Sequence, residues 1–148
     1  MNDEKSPTLM CPVAQGLEAI GDAWSFLIMR DAHAGHTRFD QFRKSLGIAP
    51  TMLTKRLAAL TLAGMLEKRT YSERPPRDDY VLTATGRDFL PVLLVFGAWA
   101  RRHCGGKLAR YVDVETGREV EPVGIDGVTG ARLGSRPLRL ADPEELLP

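Results

Sequence analysis

The chain has 148 residues, 43% of them hydrophobic and 26% charged, a balance that supports a real core in one domain or in one domain plus an arm. Its longest apolar stretch, residues 90–100, is interrupted by Pro91 and Gly97 and is too short to cross a bilayer. Residues 1–7 lack the basic-then-apolar order of a signal peptide, so no membrane partner is expected and the cytoplasm is the expected location. The net charge of +1 is unevenly divided: residues 36–78 carry nine basic and four acidic side chains, net +5, against −3 over 1–35 and −2 over 104–148, a local field that suits a polyanion as well as it suits a mixed, solvated face.

Residues 1–10 are expected to form a loose arm. Pro12 suits the first turn of a helix reaching about Ile20, with Val13, Leu17 and Ile20 on one face. A second helix over 23–34 is apolar almost all round, with Trp24, Leu27 and Ile28 on one side, and is expected at the centre of the core; Gly35 stops it. A short third helix over 39–46 turns Phe39, Phe42 and Leu46 inward and ends at Gly47. Pro50 then opens a fourth helix to about Ala63, with Leu53, Leu57 and Leu60 inside. Turning by about 100° per residue, that helix puts Thr51, Thr54, Lys55, Ala58 and Leu62 outside. Residues 65–71 and 79–82 read as two strands around a hairpin loop, 72–78, stiffened by Pro75 and Pro76 and flanked by Arg74 and Arg77. Thr83 can cap a last helix running unbroken to about His103. Beyond Gly105 and Gly106, two segments echo one another weakly, each with apolar alternation, an acid and then Thr-Gly: residues 111–117 and 123–130. They are expected to form one or two β-hairpins, with a short tail from residue 138.

The predicted fold is therefore mainly α with a β-hairpin wing, a winged helix-turn-helix, plus a small C-terminal β-hairpin extension. The expected organisation is an arm over 1–10, a DNA-binding and dimerisation domain over 11–103, and an extension over 104–148. Two helices joined at a glycine and followed by a two-stranded wing form an arrangement that places the second of them in the major groove of double-stranded DNA. Its outer face is small, polar and cationic where a soluble core helix needs nothing of the kind. Thr51 and Thr54 offer hydroxyls, Lys55 a cation, and the helix start free amide groups. Arg74 and Arg77 in the wing can grip phosphates or enter a narrow minor groove. With Arg38 and Arg56, these make up the expected DNA-binding set. Either motif alone is weak, since helical pairs with a glycine turn and Pro-Pro-Arg turns are common; their order together carries the reading.

Cys11-Pro12-Val13, Gly21-Asp22-Ala23-Trp24, Arg38-Phe39, Met52-Leu53-Thr54-Lys55-Arg56-Leu57, Leu60, Gly64-Met65-Leu66, Pro75-Pro76-Arg77, Tyr80-Val81-Leu82-Thr83 and Gly86 resemble, in order, the HxlR family of bacterial, MarR-like winged-helix regulators. The resemblance covers about residues 10–103. It implies a homodimer bound to a short inverted repeat, most often as a repressor, and dimerisation through the first and last helices. The expected interface residues are Val13, Leu17, Leu90, Leu93, Leu94, Phe96 and Trp99. Ala49 stands where the family usually places a capping Ser or Thr, and the extension falls outside the shared motifs.

Cys11 sits where some relatives place an oxidant-sensing thiol, in the positive field of a helix start; the plain alternative is a small packing residue. Cys104 is expected to be incidental. Two cysteines are too few for a zinc ribbon or a disulfide framework, and His33 and His36 have no ligand-spaced cysteine or carboxylate pair, so no metal or cofactor is expected. No phosphate loop or nucleophilic triad is present, which leaves an enzyme unsupported. A small effector, if one exists, is expected near Trp24, Leu27, Phe89 and Phe96. The rival function is a winged-helix module for protein–protein contact, without sequence-specific DNA binding.

Overall fold

The computed structural model describes residues 11–146, so the expected arm over 1–10 lies outside the described residues. The chain divides into two units, residues 1–90 and 91–148. The sequence puts the boundary after His103, whereas this division falls at the start of the last long helix.

The first unit opens with α1 (Pro12–Ile20) and α2 (Ala23–His33). Asp22 separates them: its carboxylate accepts the Ser25 amide at 3.0 Å and so satisfies one of the free donors at the start of α2. In α3 (Phe39–Leu46) that task falls to Gln41, whose side-chain oxygen accepts the Thr37 and Arg38 amides at 2.9 and 3.0 Å. Gly47 closes α3 with φ +63°, a left-handed value that glycine adopts without strain. Ile48 is buried in the turn that follows, and Pro50 starts α4 (Pro50–Leu62). Ala49 makes no side-chain cap there, so the first amides of α4 stay open. The core of the unit is the meeting of α2, α3 and α4: Ile28, Met29, Phe42, Leu53, Leu57 and Leu60 are all fully buried.

The wing is the antiparallel pair β1 (Leu66–Glu73) and β2 (Pro76–Leu82). Both strands run further than the sequence suggests, and the expected loop over 72–78 contracts to Arg74 and Pro75, joined by a cis peptide. Cross-strand polar contacts carry the extra length. Thr70 donates to Asp78 at 2.7 Å, Lys68 reaches the same carboxylate at 3.3 Å, and the Ser72 hydroxyl donates to the Pro75 carbonyl at 3.0 Å. The register shifts between Thr70 and Ser72, which leaves Tyr71 as a bulge. A third edge forms where Arg38 bridges Asp79 and the Tyr80 amide donates to Thr37 at 2.7 Å.

The expected continuous last helix is corrected to two. Thr83 caps only α5 (Ala84–Arg87), accepting the Gly86 amide at 3.0 Å, and α6 (Leu90–His103) starts afresh after Asp88 and Phe89. Pro91 supplies the reason: it has no amide to donate back to Arg87, and a proline is tolerated only in a helix's first turn.

The second unit contains α6 and two small hairpins. β3 (Tyr111–Val112) pairs with β4 (Glu119–Val120), and Ile125 bridges Arg132. The sequence echo is a structural repeat. Asp113 accepts the Glu115 and Thr116 amides and the Thr116 hydroxyl, and Asp126 accepts the Val128 amide and the Thr129 hydroxyl. The amides of Gly117 and Gly130 then close each turn onto the carbonyl of its aspartate. A short 3₁₀ turn, Pro143–Leu146, ends the described chain, with Arg139 paired to Glu145 at 2.7 Å. The architecture is mainly helical with an antiparallel wing, the winged helix-turn-helix that the element order implies.

Candidate nucleic-acid interface

In α4 the apolar residues Leu53, Leu57 and Leu60 take the inner face, so rotation by about 100° per residue leaves Thr51, Thr54, Lys55 and Ala58 exposed. Leu62 is 91% exposed at the end of the same face. Lys55 has no ion-pair partner among the described residues. Thr54 donates to the Pro50 carbonyl at 2.9 Å, which ties its hydroxyl back to the helix.

Arg56 differs from its neighbour. Its guanidinium lies 2.7 Å from the Asp22 carboxylate, about three-tenths exposed, and so braces α4 against the start of α2. The expected DNA contact at Arg56 is thus occupied by an internal pair, because the next residue round the helix from Lys55 turns toward α2.

The wing aspartates have partners other than the wing arginines. Asp78 is held below the usual carboxylate range, first by the Thr70 hydroxyl and then by Lys68. Asp79 accepts the Thr37 hydroxyl at 3.1 Å and lies 3.6 Å from Arg38. Arg74 and Arg77 are exposed, and neither has a hydrogen-bond or ion-pair partner among the described residues. Arg77 does not project from a loop as expected; it stands on β2, opposite Ser72. It lines a recess of about 420 Å³ between the wing and the start of α3, with Phe39, Tyr71 and Tyr80. Arg38 borders the same recess, its guanidinium 4.8 Å above the Tyr71 ring.

Arg43 and Lys44, absent from the expected set, are exposed and unpaired on α3 next to the turn. Their adjacency to Gly47 is the sequence signal that marks them. Of the expected interface residues, Val13 and Leu17 are 70% and 64% exposed on α1, while Phe96 and Trp99 are 54% and 49% exposed on α6 and stack at 6.1 Å. Leu90 is exposed and Leu94 half-buried. Leu93 is buried within the chain and does not join the exposed set, since it falls on the inner side of α6 with Ala98. Cys11 is half-buried at the start of α1 and Cys104 exposed; both are free thiols. Trp24, Leu27 and Phe89 are half-buried, with Phe89 edge-on to Phe26 at 5.4 Å, and Phe96 belongs to the other unit. No helix among the described residues is long and apolar enough to cross a membrane.

A family model described as HxlR-like helix-turn-helix matches residues 19–108. The HTH-type transcriptional regulator Rv3095 of Mycobacterium tuberculosis is 38% identical over 87 residues, 59% of this chain. The match spans 55% of that relative, so the chain accounts for about half of its length. Among solved structures, PA1607, described as a candidate transcription factor, is 34% identical with a TM-score of 0.79, over 88% of this chain and 94% of that one. The redox regulator HypR in its reduced form is 30% identical with a TM-score of 0.60, over 64% of this chain and 94% of its own.

Proposed function

Because the chain belongs to the HxlR-like helix-turn-helix family, we propose that it represses transcription as a homodimer on an inverted-repeat operator in double-stranded DNA. It is a transcriptional regulator of helix-turn-helix type, and regulators of this kind are not enzymes. Such a regulator works where the DNA is, in the cytoplasm. In this reading Thr51, Thr54 and Lys55 face the major groove and Arg74 and Arg77 face phosphates or the minor groove, while Arg38 borders the wing recess and Arg56 acts through Asp22 as a positioning residue. The supporting observation is the set of unpaired cations, Lys55 on α4 and Arg74 and Arg77 on the wing, next to aspartates already satisfied by other residues. A protein-contact module has no need to keep those cations open.

Binding of the full chain to genomic fragments, its own promoter included, tests this across a salt series. The expected result is a retarded complex on few fragments, weakening steeply with salt, with log affinity against log salt falling by about 0.9 per phosphate contacted. Equal, weak retention of every fragment would favour the protein-contact module.

The signal we assign to Cys11 is oxidative. Peroxide would take two electrons and two protons from a pair of thiols, forming one disulfide and two waters, and the bridge would alter the spacing of the two α4 helices. Operator affinity measured with and without mild peroxide, for the parent and for Cys11→Ser, is expected to change in the parent alone. Equal affinity in all four conditions would make Cys11 a packing residue.

A further inference from the structure

The second unit contains a cavity of about 430 Å³ that includes none of the residues proposed to contact DNA, walled by the Arg101 and Arg102 side of α6, by Tyr111, and by Glu119 to Glu121. Its volume lies within the ~300–1,000 Å³ range of small-ligand sites. The charged groups around it fall into two classes. Glu119 is saturated: one oxygen accepts Arg101 at 3.1 Å and the other Arg110 at 2.7 Å. Those two guanidinium groups hold its carboxyl below the usual range, so this part of the wall is a fixed ion network. Arg102 and Glu121 are different. Each lines the cavity, and neither has a hydrogen-bond or ion-pair partner among the described residues, including the other. Between the charges the wall is apolar and braced: Val120 contributes aliphatic surface, and the Tyr111 hydroxyl packs on Gly97 of α6 so closely that a Cβ there would overlap it.

An open cation and an open anion on one small cavity select a ligand that carries both charges. A simple anion would leave Glu121 unanswered beside Glu119, and a simple cation would meet Arg101 and Arg102. We propose that this cavity binds a small zwitterion of the α-amino acid class, with its carboxylate on Arg102, its ammonium on Glu121 and its side chain toward Tyr111 and Val120.

Calorimetric titration of the full chain with each standard L-amino acid tests the site without reference to DNA. At least one should bind with a dissociation constant below about 1 mM. Its methyl ester, which lacks the carboxylate, and its N-acetyl form, which lacks the ammonium, should each bind about tenfold more weakly to the parent. The penalty for the ester should vanish in R102Q and that for the N-acetyl form in E121Q, because each variant removes the group that reads the missing charge. Both side chains are exposed, so thermal melting should not move. No amino acid reaching that affinity, or blocked forms that bind the parent as well as the free amino acid does, would overturn the proposal.

Discussion

Lys55 and Arg56 are neighbours on α4, and one step of about 100° separates an open cation from a paired one. The two should therefore respond differently to truncation. Lys55→Ala should weaken operator binding by about 1–3 kcal/mol and, where Lys55 reads a base, relax the preference at that position, with melting unchanged. Arg56→Ala should lower stability by about 1 kcal/mol or less, the range of a partly exposed pair, and affect DNA binding only through the placement of α4. Melting curves and a binding isotherm for each variant separate the two effects, and a stability loss in Lys55→Ala would contradict the assignment. Gly86 shows a residue whose constraint is steric. His33 Nε2 lies 3.0 Å from its carbonyl, and a Cβ there would be driven into the Met65 carbonyl, which also faces the Thr83 amide and hydroxyl. Gly86→Ala should cost about 1–3 kcal/mol, as overpacked sites do, and an unchanged melting temperature would mean that the turn yields freely.

The wing and the terminal hairpins are elements held by side-chain chemistry more than by burial, and both make predictions of their own. If Arg74 and Arg77 each neutralise one phosphate, the double alanine variant should flatten the slope of log affinity against log salt by about 1.8 and weaken all sequences alike. An unchanged slope would take the wing off the DNA. In the extension, the Thr116 amide and hydroxyl hold Asp113 below the usual carboxylate range, and the Thr129 hydroxyl does the same for Asp126. A carboxyl depressed by folding contributes fully above its unfolded value and loses that contribution as pH falls through the folded one. Protection of the Thr116 and Thr129 amides, measured against their unfolded exchange rates at the same pH, should therefore fall below about pH 4, and earlier acid loss of protection at residues of α4 than at these turns would sink this account. The same elements mark how much was legible in the sequence. Helices α1 to α4 were readable because Pro12, Asp22, Gly47 and Pro50 punctuate a 3.6-residue apolar period. The wing's full length was not, because Ser72 and Asp78 are polar residues whose value as strand formers lies in contacts within the hairpin. The break at Asp88 and Phe89 was signalled by Pro91 but masked by the apolar run beyond it. For the site, the open face of α4 followed from periodicity alone. The pairing of Arg56 with Asp22 joins residues 34 positions apart, and no local pattern encodes it.

At the scale of the whole molecule the question is what two exposed apolar sets are for. Along α6, Val92, Phe96 and Trp99 recur at spacings of four and three, so they share one face, and Trp99 continues to His103 at 5.6 Å. On α1, Val13 and Leu17 are four apart and more exposed still. An apolar stripe of large side chains on a helix is costly to leave in water, and a symmetric partner presenting the same stripe covers both copies at once. The proposed dimer also answers a need of the DNA reading: one α4 helix reads a few base pairs, whereas two, held about 34–36 Å apart, read an inverted repeat on one face of the duplex. Light scattering at micromolar concentration should accordingly return twice the 16.3 kDa of one chain. Trp99→Glu, a change at a half-exposed position that leaves the buried residues untouched, should return a single chain with an unchanged helical spectrum. It should also lose about 100-fold or more in operator affinity, because each half-site must then be bound without the tethering that makes the second contact intramolecular. A parent that scatters as a single chain removes the dimer outright. A monomeric Trp99→Glu that binds the operator as tightly as the parent would keep the dimer but detach it from recognition of the repeat.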